Sequence, residues 1–110
     1  MSTLSVNGKP LQIVGTAAWS AHYAGIEAQC YIQEALKALA KKPVDMLDFE
    51  QPEEGRMQIR AAGHDLATDS VLDETTVIMS TESLPIKKFW FKLDDCGTHY
   101  IGTFLFPEDF

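Results

Sequence analysis

The stretch FWFKLDDCGTHYIGTFLF, Phe89 to Phe106, holds more than half of the aromatic side chains of this 110-residue chain. Large apolar residues recur at even spacings on both sides of a polar centre, Phe89, Phe91 and Leu93 before it and Tyr100 and Phe104 after it, the period of strands with one face buried. With Asp94-Asp95-Cys96-Gly97 as the loop, the stretch reads as a β-hairpin. Leu93 then pairs with Thr98, Phe91 with Tyr100 and Phe89 with Gly102. Phe89, Phe91, Leu93, Tyr100 and Phe104 share one face, which a core must cover. Trp90 falls on the other face, opposite Ile101 and flanked by Lys88 and Lys92. A slip of one residue would invert every one of these faces.

What covers the aromatic face is sought upstream. AHYAGIEAQCYIQEALKALAKK, Ala21 to Lys42, has helical spacing. Ser20 is placed as its N-cap, lysines near its end suit the negative pole, and Pro43 stops it. Gly25, Ala28, Ile32, Ala35, Leu36 and Leu39 form the apolar stripe. Glu27, Tyr31, Glu34 and Ala38 are assigned to the opposite side, which leaves Tyr31 as an outward ring.

Other segments supply strands. Asn7-Gly8 sits between apolar residues and suits a tight hairpin turn. Pro43 to Gly55 carries five acids and no base. It reads as a short strand or extended loop anchored by Met46, Leu47 and Phe49, then a turn at Pro52–Gly55. RMQIRAA, Arg56 to Ala62, alternates with Met57, Ile59 and Ala61 on one face. Gly63 to Glu74 reads as turn-rich. Thr75 to Thr81 is β-branched and reads as a strand. The expected fold is α+β, with one long helix packed on a mostly antiparallel sheet of about five strands, in a single domain spanning 1–110.

Net charge is −7. Between Pro43 and Ile86 there are ten acids against two arginines, so the excess lies in the middle of the chain. That balance argues against direct nucleic-acid binding, which needs cations to neutralise phosphates, and favours a basic protein partner. No apolar run approaches membrane-spanning length and no secretory leader opens the chain, so a cytoplasmic protein is expected. Two cysteines make no disulfide framework, and both thiols are expected free.

Chemical motifs are sparse. Cys96 and His99 resemble a thiol–imidazole pair, but no third group orients the histidine, and Asp94 and Asp95 oppose thiolate formation. Two ligands do not make a zinc site. His22 and His64 stand alone. The acids match no calcium loop, and no phosphate-binding or nucleophile motif is present. No catalytic, metal or cofactor residue is assigned. The expected function is that of a small acidic non-catalytic binding protein, of inhibitor or immunity type, docking on a basic protein, a nucleic-acid-handling one among the options. Asp45, Asp48, Glu50, Glu53, Glu54, Trp90 and Tyr31 are its candidate partner-binding residues. The alternatives are a small enzyme or ligand-binding domain with a pocket between helix and sheet, and a homo-oligomeric assembly subunit such as a homodimer.

Overall fold

The computed structural model describes residues 5–6, 8–23, 25–41, 43–51, 56–66, 68, 70–79 and 88–109; residues 26, 27, 72–79 and 109 are described by their backbone alone. Its elements run β1 (Ser5–Val6), β2 (Lys9–Gly15), α1 (Ala17–His22), α2 (Ile26–Lys41), β3 (Val44–Glu50), β4 (Arg56–Asp65), β5 (Val71–Met79), β6 (Phe89–Asp95) and β7 (Tyr100–Leu105), followed by a 3-10 turn at Pro107–Asp109. The strands lie in the order β1-β2-β7-β6-β3-β4-β5. Six of them form a curled mixed sheet, and the two-residue β1 pairs only with β2 at its edge.

The α+β class stands, but the arrangement differs from one helix on five antiparallel strands. There are two helices, and β2 pairs with β7 in parallel, from Leu11 opposite Tyr100 to Gly15 opposite Phe104. Parallel pairing requires a crossover, and α1 and α2 belong to it. The chain leaves β2, passes through both helices and returns in β3. The gap between β2 and β3 is filled last by the β6–β7 hairpin.

The helix begins earlier than its periodicity suggests and is broken. Thr16, not Ser20, caps α1: its side chain accepts from the Trp19 N–H at 3.3 Å. The break follows at Tyr23, and Gly25 takes a φ of 62°, a left-handed conformation that favours glycine. The buried stripe of α2 is also rotated. Tyr31, Ala35 and Leu39 are buried, with Ala28, Ile32, Leu36 and Ala38 packed beside them. Tyr31 is therefore a core ring rather than an outward one; its ring centroid lies 5.2 Å from Phe89 and 5.0 Å from Tyr23.

β6 and β7 pair with Leu93 opposite Gly102, Phe91 opposite Phe104 and Trp90 opposite Leu105. The loop spans Cys96 to His99, closed by the Cys96 N–H donating to the His99 carbonyl at 2.9 Å. The register differs from the expected one by four residues. Four is even, so each side chain keeps its face. Phe89, Phe91, Leu93, Tyr100 and Phe104 are all buried. Trp19 from α1 stacks on Phe104 at 4.4 Å, and Phe49 from β3 stacks on Phe89 at 4.7 Å, so the core is a continuous set of rings between helices and sheet.

β3 is a central strand, paired antiparallel with both β4 and β6. β4 presents Met57 and Ile59 to the core, as its alternation requires. It continues to Asp65, past the expected end, and pairs with β5 from Val71 onward. The segment read as turn-rich is thus largely strand. A bulge allows this extension: Gly63 and His64 on β4 oppose the single Asp45 on β3. Gly63 has a φ of 87°, and a side chain there would meet the Asp45 carboxylate. The turn expected at Pro52–Gly55 and the strand end at Ser80–Thr81 lie outside the described residues.

Candidate functional site

The sheet face opposite the helices carries the side chains of the other parity. On β3 these are Met46, Asp48 and Glu50; on β6 Trp90 and Lys92, with Lys88 just before; on β4 Gln58, Arg60 and Ala62. The pairing sets Asp48 between Arg60 on one side and Trp90 on the other, and Met46 opposite both Lys92 and Ala62. An open depression of about 400 Å³ lies here, lined chiefly by Asp45, Asp48, Arg60, Lys88, Trp90 and Lys92. It opens on the outer face of the sheet, not between helix and sheet.

Asp48 is the least expected side chain of the face. It is only 5% exposed, although it points away from the aromatic core. A central strand has a neighbour on each side, and here the neighbours are long. The Arg60 and Lys88 heads lie 3.6 Å and 3.5 Å from Asp48 Oδ2. These are ion pairs, too long or too poorly aimed for hydrogen bonds. Asp48 Oδ1 is buried with no hydrogen-bond partner. Buried acceptors are ordinarily satisfied, since leaving one unmade costs about 1–3 kcal/mol, more if charged.

Around Asp48 the other acids are matched. Glu50 accepts from the Gln58 side chain at 3.4 Å and lies 3.9 Å from Lys88. Asp45 accepts from the His64 backbone N–H at 2.8 Å, with the His64 ring at 3.6 Å. Lys92 lies 3.7 Å from Asp94. The acidic segment has no base within itself, yet the sheet brings Arg60 and Lys88 across to it.

Of the candidate residues, the fold brings Asp45, Asp48, Glu50 and Trp90 to this one face. Tyr31 is elsewhere, in the core, and Glu53 and Glu54 lie outside the described residues. Arg60, Lys88 and Lys92 were not singled out. Their signal was present: Arg60 sits on the polar parity of its strand, and Lys88 and Lys92 flank Trp90. Counting charge by segment hid it, because sheet neighbours come from distant segments.

Cys30 and Cys96 are free and exposed. The His99 ring lies with the Thr98 hydroxyl, 3.0 Å away. Among the described residues no group of three or more His, Cys, Asp or Glu side chains is placed to hold a metal ion, and no helix is long and apolar enough to cross a membrane.

No family model, curated protein or solved structure matches the chain.

Proposed function

We propose that the protein is a non-catalytic binding protein of inhibitor or immunity type that docks on a basic protein through the outer face of its sheet. The observation that carries this reading is the meeting of Asp45, Asp48 and Trp90 around one depression on the side opposite the helices, with Glu50 on the same face 3.9 Å from Lys88. A net charge of −7 supplies long-range attraction for a basic partner. Tryptophan is enriched among the residues that dominate interface energies, and a half-buried ring at a depression can serve as such an anchor.

The test begins with affinity capture from the native host at low and high salt. Partners held by charge dissociate as salt screens them. Each captured basic protein is then measured against two variants. Changing Glu50, Glu53 and Glu54 to Lys slows association and flattens its salt dependence. Trp90→Ala speeds dissociation instead. Asp48 is left out of the reversal, because a lysine there would be forced into a buried position. An unchanged association rate for the triple variant would sink the reading.

The volume of the depression favours one second reading, a small-ligand-binding domain. About 400 Å³ falls within the range of small-molecule sites.

A further inference from the structure

We infer that β5, the long edge strand of the sheet, pairs antiparallel with β5 of a second copy of the chain, about a two-fold axis at Thr75. The surface used is the edge of the sheet, not its outer face, so the inference stands apart from the docking reading above.

The two edges of the sheet differ. At one, the two-residue β1 ends the order, beside a β2 that carries Lys9 and Pro10. Short strands, lysine and proline are ordinary means by which an edge avoids pairing with another chain. At the other, β5 runs nine residues, Val71 to Met79, and among the described residues it pairs with β4 alone. Its ladder with β4 runs from Val71 opposite His64 to Met79 opposite Arg56 without a bulge. It contains no lysine, arginine, proline or glycine, and Thr75 to Met79 is uncharged. Alternate N–H and C=O groups of such a strand point away from the sheet, where a further strand can take them up. Val71 adds an apolar side chain in need of cover. It is 77% exposed, against 38% for Val14, the other exposed large apolar residue among those described.

The order of residues in β5 selects a second copy as the occupant. Antiparallel pairing centred on Thr75 uses all nine positions and sets Val71 opposite Met79 and Leu72 opposite Ile78, apolar against apolar at both ends. Asp73 falls opposite Val77 and Glu74 opposite Thr76, so no acid meets an acid directly. The two copies of Asp73 then lie about 14 Å apart, well beyond the screening length of about 8 Å at physiological salt. Parallel pairing in register would instead set each acid against itself. A basic strand would find acids at only two of the nine positions. A two-fold contact of this kind is isologous and closes, so assembly stops at two chains. Its axis is perpendicular to the sheet, so the outer faces of both copies look the same way.

The experiment measures the mass of the full chain by sedimentation equilibrium over a range of protein and salt concentrations. The expected result is an equilibrium between one chain and two. It tightens as salt screens the repulsion between chains of net charge −7. Thr75→Glu stands opposite Arg60 within its own chain, yet sets carboxylate against carboxylate at the axis. It should weaken association by roughly fivefold or more, as like charges placed directly opposite do. A cysteine arm is independent of that variant. In a Cys30→Ser, Cys96→Ser background, Thr75→Cys should cross-link two chains under mild oxidation, because the two copies of residue 75 face each other. Val71→Cys should not. A single-chain mass at every concentration and salt overturns the proposal. So does a dimer that Thr75→Glu leaves intact, one that cross-links through residue 71 rather than 75, or growth beyond two chains. If the chain stays single while the peptide acetyl-Lys-Val-Lys-Val-Lys-amide shifts the amides of 71–79 in an NMR titration, the edge takes a basic strand and the proposal falls.

Discussion

Gly102 shows how closely single side chains are fitted. It pairs with Leu93, and a Cβ on it would run into the Phe91 ring from the neighbouring strand. The glycine is there for space, since a ring fills what a side chain would otherwise occupy. Gly102→Ala should destabilise the protein by roughly 1–3 kcal/mol through overpacking, seen as a lower urea midpoint at unchanged slope. An unshifted midpoint would mean that the ring has room to move. Tyr31 makes the opposite kind of contact, filling the junction of α2, Phe89 and Tyr23. Tyr31→Ala should cost roughly 3–5 kcal/mol, as large aromatic truncations in a core do. Parental stability in that variant would return Tyr31 to the surface. The need for a small residue near a ring was legible in the sequence, although the ring was assigned as Phe89. The place of Tyr31 was not, because a stripe drawn through aliphatic residues misses a ring lying at its margin.

At the scale of elements, the β6–β7 hairpin was legible in its faces and not in its register. Alternation fixes parity, and any even slip satisfies it equally. The register is chosen by what lies outside the hairpin. Lys9 in β2 reaches Asp95 at the end of β6, 3.0 Å away, and lies over the Tyr100 ring. Asp95 also accepts from the Gly97 N–H at 2.8 Å, which shapes the loop. That bond first, and Lys9 second, hold the Asp95 carboxyl below the usual carboxylate range. The hydrogen bond to Asp95 in turn raises Lys9 above the usual lysine range. A depressed carboxylate stabilises the fold above its unfolded pKa, and that stabilisation is lost as pH falls through the folded value. A raised lysine stabilises below its unfolded pKa and loses this as pH rises through the folded value. The link is therefore constant through neutral pH and fails at both extremes. Asp95→Asn should lower the urea midpoint slightly at neutral pH, because both groups are exposed, and should match the parent in strong acid. A gap between the two proteins that persists well below the carboxylate range would show that the loop, not the charge, is responsible.

For the molecule as a whole, the decisive event is the parallel pairing of β2 with β7. The sequence suggested antiparallel neighbours because consecutive strands through short connections pair that way, and most of these strands do. Nothing local in β2 announces a partner near the far end of the chain. The partner is set by the aromatic core: Trp19 follows β2 directly and stacks on Phe104 of β7, while the Thr16 N–H donates to the Phe104 carbonyl at 2.9 Å. Closing such a contact means ordering nearly the entire chain before it is rewarded, so folding should be slow for a protein of this size. Trp19 reports that closure. It is 4% exposed, and the chain has only one other tryptophan, Trp90. In a Trp90→Phe background, Trp19 emission should be blue-shifted and protected from acrylamide in the native state. Its recovery on refolding should take roughly milliseconds to seconds, the range of topologies dominated by distant pairings. Gly15→Val would strike the same junction, because a Cβ at Gly15 would press against Trp19 and Ser20. That variant should unfold faster and refold to a less protected Trp19. Refolding in microseconds, or a Trp19 signal untouched by the change at Gly15, would mean that β2 joins the sheet through local structure and that the pairing with β7 is not what closes the fold.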